Sequence, residues 1–460
     1  MSLGVSRTTG VGTTFSLRVV TSRAVVSSRV HMSEKKHYIV AGGGLAGLSA
    51  AIELALNGLP VTLYEQSKTL GGRAATHSQQ GYAMNIGPHG FYRAGVMKAQ
   101  FDAWGIAYSG KPPLGRGEAY LIADGKRHRF PGNTAGLLRT GAFSFSEKMR
   151  LGQLMGTLQK AETRASESMQ AWIDRQSAKA NVRGFLGALI RLSTYSADLQ
   201  MLDADAGLRQ LKLALKASVW YLDGGWETVV NALAAKGRSL GVTIHTDCGV
   251  TAVESGAVQL RGGERVSCDG IVLAMPPRAV EQVTGGRLPK LMPARAACLD
   301  LGLRRLPARA GTFALGLDEP TYVSVHSEYA TGLAPQGGAL VQLAKYLSQD
   351  ASCTREELEQ RADLVMPGWR DEVAFARFLP EMTVMHAIPA VDHPRPDVDV
   401  LGLPSVAVAG DWVGREAMLA DAAVASALRA ARRVMLLTNP DGQGGRSGWR
   451  LTPSLPVGAR

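Results

Sequence analysis

The sequence predicts an α/β fold in which one parallel sheet is assembled from distant segments of the chain. A strand, a glycine-rich turn, a helix and a second strand follow one another between Tyr38 and Tyr64, which is the pattern of a βαβ unit. Further apolar strands are expected at 270–274 and at 405–409, just before Gly410. Sequence with helical periodicity fills part of the interval, so the sheet is expected to carry an insertion.

The first unit can be placed from its residues. Residues 38–40 form a β-prone run, and the Ala- and Leu-rich stretch 50–56 predicts a helix that ends at Gly58. Residues 61–64 predict the second strand, which stops at Glu65. Because a helix joins the two strands, they are expected to run parallel.

A helical region is expected between 144 and 216. Apolar residues recur at helical spacing after Ser146, the expected N-cap, and further helices are expected at 182–192 and 206–215. The remaining expected elements are a helix at 227–235, strands at 242–244, 250–253 and 258–260, a mixed strand-and-loop region at 295–377 and a helix at 417–436.

Composition and charge exclude several classes of protein. The 460 residues are 45% hydrophobic and 20% charged, which is ordinary for a globular protein. The four cysteines lie far apart without a CxxC pair, so neither a zinc site nor a thioredoxin-type site is expected. No apolar run approaches the roughly 18 residues of a spanning helix. The formal charge of +12 comes without Lys/Arg runs or interleaved aromatics, so no nucleic-acid partner is expected.

The first 31 residues are left out of the fold prediction. They contain four arginines and no acid and are rich in Ser, Thr and Val, as in an organelle transit peptide. The alternative is upstream sequence translated from a wrong start, with Met32 as the true first residue. The tail from Asn439 is rich in Gly, Pro, Ser and Arg and is expected to be disordered.

Gly42, Gly44 and Gly47 form a G-x-G-x-x-G motif between the first strand and its helix. In this context the first glycine permits the turn, the second lets a pyrophosphate approach, and the third lets helix and strand pack closely. Glu65 follows Gly44 by 21 residues and is placed to bind an adenosine ribose. An acid there disfavours a 2′-phosphate, and thus NADP. A glycine-rich turn without a ligand is the alternative.

Gly72 and Arg73 favour FAD over NAD. The pair Gly71-Gly72 allows the backbone to pass close to a dinucleotide, and the Arg73 guanidinium can neutralise phosphate charge. Taken alone, this tripeptide would be only a turn with a solvated cation.

With these motifs the sequence resembles the flavin-containing amine oxidase and phytoene desaturase superfamily. The resemblance rests on 41–74, 221–254, 268–277 and 405–413 and extends over most of the chain from Lys36 to about Leu437. It implies a discontinuous, GR2-type, Rossmann-like FAD-binding domain with an inserted α+β substrate-binding domain. The implied domain boundaries are 33–110, 223–290 and 400–437 for the FAD-binding domain and 111–222 and 291–399 for the substrate domain, with an N-terminal extension at 1–32 and a tail at 438–460.

The resemblance also implies the cofactor contacts. Val250 would meet adenine through its backbone, Asp411 would bind the ribityl or pyrophosphate region, and the last helix would point its N-terminus at the flavin ring. The residues expected to bind FAD are Gly42, Gly44, Leu45, Ala46, Gly47, Glu65, Gly72, Arg73, Val250, Gly410, Asp411, Met418 and Leu419. No cysteine lies near the last helix, so FAD is expected to be non-covalent. No second G-x-G-x-x-G occurs, so a paired NAD(P) site is not expected.

Hydride transfer from a substrate carbon to flavin N5 is the chemistry that the resemblance implies. His89 and Tyr92, in the segment expected beside the flavin, and Lys345 are weak catalytic candidates. His89 could equally be a packed loop histidine, and Lys345 a solvated residue at a strand end. The apolar stretch 185–192 would cap the substrate cavity, with Met149, Met155, Met169 and Met201 either lining it or belonging to the core.

Three functions stay open at this point. The first is a desaturase, saturase or isomerase acting on an apolar, isoprenoid- or carotenoid-like small molecule. The second is an amine oxidase that uses oxygen, and the third is a non-catalytic flavoprotein. A cytoplasmic location is expected, with peripheral membrane contact, organelle import and the oligomeric state left open.

Overall fold

The structure is a computed structural model that describes residues 36–113 and 118–438. The predictions for the N-terminal extension and for the tail from Asn439 concern residues outside this described part of the chain.

Helices and strands alternate along the first part of the chain and become segregated further on. The helices in the described residues are α1 (Leu45–Leu56), α2 (Val96–Trp104), α3 (Thr134–Arg139), α4 (Phe145–Thr157), α5 (Met169–Gln176), α6 (Ala180–Thr194), α7 (Ala204–Ala217), α8 (Glu227–Ser239), α9 (Pro277–Thr284), α10 (Arg355–Val365) and α11 (Leu419–Thr438). The strands are β1 (Tyr38–Ala41), β2 (Val61–Tyr64), β3 (Thr76–Gln79), β4 (Tyr82–Asn85), β5 (Phe91–Tyr92), β6 (Gly110–Lys111), β7 (Glu118–Ala123), β8 (Lys126–Arg129), β9 (Val219–Leu222), β10 (Thr243–His245), β11 (Val250–Glu254), β12 (Ala257–Leu260), β13 (Arg265–Ser267), β14 (Gly270–Leu273), β15 (Ala294–Leu303), β16 (Gly311–Gly316), β17 (Thr321–Val325), β18 (Ala339–Leu347), β19 (Val373–Met385) and β20 (Val406–Val408).

A five-stranded parallel sheet has the order β10-β2-β1-β14-β20. Its strands come from three separated segments of the chain, as the sequence predicts. β1, β14 and β20 are buried along their whole length, because helices cover both faces of a parallel sheet. The carboxyl ends of β1, β2, β14 and β20 therefore meet at one edge.

The second large sheet has seven strands in the order β19-β15-β18-β17-β16-β7-β8 and is antiparallel except between β16 and β7. Side chains of β15 alternate between its two faces. Cys298 joins the core beneath α4 to α7, and Leu299 joins the core beneath α10. The mixed strand-and-loop region expected at 295–377 is thus mostly long, paired strand. The boundaries between the two domains stay a prediction.

Ser144, and not Ser146, begins α4. The Ser144 side chain accepts a hydrogen bond from the Glu147 backbone N–H. In return, the Glu147 carboxylate accepts a hydrogen bond from the Ser144 backbone N–H at 2.8 Å. This reciprocal pair satisfies two N–H groups at the helix start, whereas Ser146 has no Glu or Gln three residues later. The helices expected at 182–192 and 206–215 are confirmed as the cores of α6 and α7.

Asp421 joins the first turn of α11 to the start of α2. Its Oδ1 accepts a hydrogen bond from the Met97 N–H at 2.7 Å, close to Gly95, where a Cβ would collide with the carboxylate. Its Oδ2 has no hydrogen-bond partner among the described residues. Burial, only partly offset by the Met97 bond, raises the pKa of Asp421 to about 7.

Asp421→Asn should change the pH dependence of stability. A carboxyl whose pKa is raised in the folded protein stabilises the fold most at pH values below its unfolded pKa of 3.8. This stabilisation decreases as the pH rises and is lost above about pH 7. Between pH 5 and pH 8 the free energy of unfolding of the wild type should therefore fall by about 2–3 kcal/mol through this group, whereas that of the Asn variant should not. Denaturant unfolding at both pH values measures the difference. The exposed Asp392→Asn is the control, and parallel pH profiles for wild type and Asp421→Asn would contradict the assignment.

Candidate active site

A cavity of about 610 Å³ opens at the edge where β1, β2, β14 and β20 end. Part of its lining belongs to the five-stranded sheet and its helices, and the rest includes the 86–90 loop, Tyr195 after α6, and β19. The predicted residues that line it are Gly42, Gly44, Leu45, Ala46, Glu65, Gly72, Arg73, His89, Val250, Gly410, Asp411 and Leu419.

The glycine turn places the start of α1 against this cavity. A Cβ on Gly42 would lie 2.3 Å from the Ala274 carbonyl oxygen, and one on Gly47 would lie 1.8 Å from the Gly42 carbonyl oxygen. A Cβ on Gly44 would meet only the Gly71 carbonyl oxygen at 3.7 Å. Gly42 and Gly47 are thus required for backbone packing, whereas Gly44 keeps space open. Gly47 itself does not line the cavity.

The first turn of α1 offers unpaired backbone donors to this space. Gly44 is its N-cap and provides no side-chain hydrogen bond, and the turn contains no acid. The N–H groups and the helix dipole there favour an anion, as the motif predicts.

Glu65 lines the cavity and is 8% exposed. Its Oε2 accepts from the Gly43 N–H at 2.6 Å, and its Oε1 accepts from the Ser67 N–H at 2.8 Å. Each oxygen keeps a lone pair for a further donor. The Cys248 N–H bonds the Glu65 carbonyl at 2.9 Å, which brings the segment that begins at Val250 beside this carboxylate.

Asp411 lines the cavity at a point where three segments of the chain meet. Arg73 Nη1 donates to Asp411 Oδ2 at 2.6 Å and to the Val384 carbonyl at 2.7 Å. His386 contacts the same carboxylate through its Nδ1 at 3.1 Å and its backbone N–H at 3.1 Å. Burial alone would raise the pKa of Asp411, but Arg73 and His386 offset burial and hold this pKa well below its usual range. The carboxylate is therefore ionised.

These contacts change the expected role of Arg73. Its guanidinium, which is predicted to neutralise phosphate charge, also forms hydrogen bonds with Asp411 and with the backbone of β19. His386 lines the cavity and was not singled out from the sequence, because an isolated histidine carries no signal there. The one feature of the sequence connected with His386 is the Gly410-Asp411 motif, which His386 contacts only in the folded protein.

The start of α11 is held against the cavity in a strained conformation. Ala417 and Leu419 both have φ of 57°, in the left-handed region that disfavours residues with a side chain. Arg395 fixes this turn by donating to the Asp411 carbonyl at 2.9 Å and to the Ala417 carbonyl at 2.7 Å. Leu419 lines the cavity. Met418 does not, because its side chain packs into the core beside the substrate sheet.

His89 lines the cavity from the 86–90 loop. Its Nδ1 is within 2.9 Å of the Gly87 carbonyl, and its ring lies 5.1 Å from that of Trp226. Burial lowers the pKa of His89 and outweighs its backbone hydrogen bonds, so the ring is neutral at pH 7. The packed-loop interpretation and a place in the cavity wall are both compatible with this geometry.

Tyr92 and Lys345 do not line the cavity. The Tyr92 hydroxyl donates to the Ser193 carbonyl at 2.7 Å inside the core, and the Lys345 ammonium pairs with Glu357 of α10. Tyr195, which follows α6, lines the cavity instead and donates to the Pro88 carbonyl at 3.0 Å.

The four methionines and the cap predicted at 185–192 are also absent from the lining. Met149 is 58% exposed, and Met169 is fully buried in the helical core. Residues 185–192 belong largely to the same core, because α6 packs that face against β15 and α7. The methionines that line the cavity are Met275, which follows β14, and Met382 of β19.

The cavity has the features that FAD requires. Gly44 leaves room beside unpaired N–H groups, and Glu65 and Asp411 stand at separate points along the cavity. Trp226 lines the same space, is 2% exposed, and its Nε1 has no hydrogen-bond partner among the described residues. A buried donor without a partner is costly, so this indole points to a missing acceptor.

Residues 45–301 match the sequence model of the protein family that is described as flavin containing amine oxidoreductase. The chain belongs to this family. It is an FAD-dependent oxidoreductase with a Rossmann-like FAD-binding fold, as predicted.

Curated relatives and solved structures agree with this assignment. The chain is 28% identical over 285 residues to 4,4'-diaponeurosporene oxygenase from Staphylococcus aureus. That match covers 52% of this chain and spans 56% of the relative's length. An oxidoreductase structure from Methanosarcina mazei has a TM-score of 0.69 at 16% identity, covering 86% of this chain and 100% of the other. A putrescine oxidase bound to putrescine has a TM-score of 0.62 at 15% identity, covering 87% and 99%.

None of the helices in the described residues is both long and apolar enough to cross a membrane. All four cysteines are free thiols, and none is among the residues that line the cavity.

Gly44→Ala and Gly47→Ala should separate cofactor binding from folding. Gly44 has φ of −79°, which alanine adopts freely, so Gly44→Ala should fold normally while its methyl group narrows the space for FAD. We expect affinity for FAD to fall about tenfold or more, a change of about 1.4 kcal/mol.

Gly47→Ala should instead destabilise the protein itself by about 2 kcal/mol or more, because its Cβ meets a backbone oxygen. Gly156→Ala is the control, since nothing lies within 4 Å of its Cβ position. Titration of the apoproteins with FAD and thermal unfolding give the two readouts. Unchanged FAD affinity in Gly44→Ala would contradict this assignment.

Proposed function

We propose that the protein transfers hydride from a carbon of an apolar, isoprenoid- or carotenoid-like substrate to the flavin of non-covalently bound FAD. Desaturation is the reaction in which such a substrate loses hydride to the flavin; saturation of the same substrate class requires the reverse transfer from reduced flavin, and isomerisation involves no net transfer. The observation that carries the proposal is the chemistry of the cavity wall away from Glu65.

We assign the cofactor contacts as follows. Glu65 and the backbone of Val250 hold the adenosine, and the start of α1 with Arg73 faces the pyrophosphate. Asp411 and Leu419 lie toward the flavin end. This assignment follows the motifs to which these residues belong.

The wall that remains for substrate is mainly apolar. Its side chains include Ile86, Pro88, Tyr195, Met382 and Val384. His89 is neutral, and the Tyr195 hydroxyl is already bonded to the Pro88 carbonyl. Such a surface favours a hydrocarbon over a cation.

The charged groups of the cavity argue against an amine. Among the described residues, Glu65 and Asp411 are the acids that line it. Glu65 is bound by two backbone N–H groups, and Asp411 is bound by Arg73 and His386. Because Glu65 is assigned to the adenosine ribose and Asp411 is paired with the Arg73 guanidinium, neither carboxylate is assigned to a substrate ammonium group.

In this mechanism the protein acts by positioning. When bound, FAD supplies the hydride acceptor. The wall formed by Pro88, Tyr195 and Met382 holds the donor carbon and excludes water. The neutral His89 ring can accept or donate a hydrogen bond without placing a charge beside a hydrocarbon. The start of α11 directs a positive helix dipole toward the ring.

The relative from Staphylococcus aureus supports the substrate class, because its name denotes action on a diaponeurosporene. The match spans about half of that protein, so the whole activity of this chain stays a proposal.

Reduction of the bound flavin under argon tests the function. We expect the flavin absorbance to bleach with an apolar lipid-extract fraction and not with putrescine or aromatic amines. Bleaching by water-soluble amines alone, with peroxide formed on admitting air, would favour an amine oxidase and overturn the proposal.

Met382→Glu should abolish this reduction while FAD stays bound. Binding of a hydrocarbon against the Glu side chain removes water from its carboxylate, which costs free energy. We therefore expect the rate of flavin bleaching to fall at least about tenfold. Met382→Leu, which keeps size and polarity, should retain most of the rate. Equal rates for both variants would place the substrate elsewhere.

A further inference from the structure

An exposed apolar surface projects from the helical layer of the substrate sheet. Leu138 of α3 is 60% exposed, and Phe145 and Met149 of α4 are 75% and 58% exposed. Phe145 and Met149 are four residues apart and share one face of α4. Lys148 donates to the Leu138 carbonyl at 2.9 Å, which brings α3 against this face. We call Leu138, Phe145 and Met149 the docking patch.

Folding does not require the docking patch to be apolar. The opposite face of α4 supplies Leu151 and Leu154 to the core, and the reciprocal bonds of Ser144 and Glu147 fix the helix start. Three large apolar side chains grouped in water are unfavourable, and such groups commonly mark an interaction surface.

Cations surround the docking patch. Arg139 follows Leu138, and Lys148 lies between Phe145 and Met149. The edge strand β8 has the sequence KRHR, and a Cβ on Gly141, between α3 and α4, would lie 3.4 Å from His128 of that strand. Successive side chains of a strand point to opposite faces of the sheet, so Lys126 lies on the same face of β8 as His128. We call Lys126, Arg139 and Lys148 the cationic rim.

The acid within α4 does not cancel this charge at the surface. Glu147 is buried and accepts hydrogen bonds from the Ser144 N–H and hydroxyl, both at 2.8 Å. Arg139 is exposed, and Lys126 is exposed on the edge strand.

We propose that the docking patch and the cationic rim bind the surface of an anionic phospholipid bilayer. Phe145 and Met149 would enter the boundary of the acyl chains, and the cationic rim would face lipid phosphates. The apolar side chains protrude from the first turns of a helix and do not line a groove, which suits a fluid surface better than the complementary face of a folded partner. The positive charge of the cationic rim is complementary to the negative charge of such a membrane.

The docking patch belongs to the same helical layer as the cavity wall. α4 packs against α6, and Tyr195 follows α6 into the cavity. Membrane contact would bring this layer to the phase in which an apolar substrate dissolves. Only this last step rests on the proposed function.

Co-sedimentation with vesicles tests the inference without any substrate. The purified protein is mixed with vesicles of phosphatidylcholine, with or without roughly a third phosphatidylglycerol. We expect binding to the anionic vesicles that weakens with added salt, and little binding to phosphatidylcholine alone.

The double variant Phe145→Ser/Met149→Ser should lose at least about tenfold in vesicle affinity. Arg139→Gln/Lys148→Gln should bind more weakly and with less dependence on salt. Leu215→Ser/Leu436→Ser is the matched control, because it removes two exposed leucines from α7 and α11 and should bind as the wild type does.

Two results would overturn the inference: wild-type protein that stays in the supernatant with anionic vesicles, or Phe145→Ser/Met149→Ser protein that binds as tightly as the control. A wild-type dimer that this variant converts to a monomer in light scattering would assign the docking patch to a second copy of the chain. Flavin reduction by detergent-dispersed substrate should be unchanged in all these variants. Failure of that reaction in the wild type would refute the proposed function and leave the vesicle result standing.

Discussion

The pairing of β1 with β14, and of β14 with β20, is the constraint on which the site depends. Tyr38 is in register with Gly270, and Ile271 with Val406, so segments distant in the chain end at the same sheet edge. Parallel strands cannot be joined by tight turns, and the intervening chain is free to form a second sheet with its own helices. The cavity therefore exists only when all three segments have assembled.

The ion pair between Arg73 and Asp411 in the cavity lining reinforces this assembly. Asp411 is almost fully buried, and a charge in that position is tolerated only with close partners. Arg73 comes from the first segment, His386 from the end of the seven-stranded sheet and Asp411 from the last segment. The same contacts that fix the carboxylate thus join the cofactor wall to the substrate wall.

Local sequence signals predicted the cofactor side well. The glycine turn, Glu65 and the apolar strands are short-range patterns whose physical reasons, close backbone approach and burial, act within a few residues. The substrate side was predicted poorly for the opposite reason. The seven-stranded sheet pairs β15 with β18 and β19, and such distant pairing leaves no local pattern. Met382 and His386 reach the cavity through β19 and its end, and Tyr195 reaches it through the end of α6, whereas Tyr92 and Met418 turn into the core.

A crystal structure of the purified protein with its flavin is the direct test of the assembled cofactor site. We expect one FAD per chain, with its ribose at Glu65, its adenine against Val250 and its ring beside Leu419. Electron density for the flavin in another place, or a folded protein in which Glu65, Val250 and Asp411 contact no common ligand, would contradict this expectation.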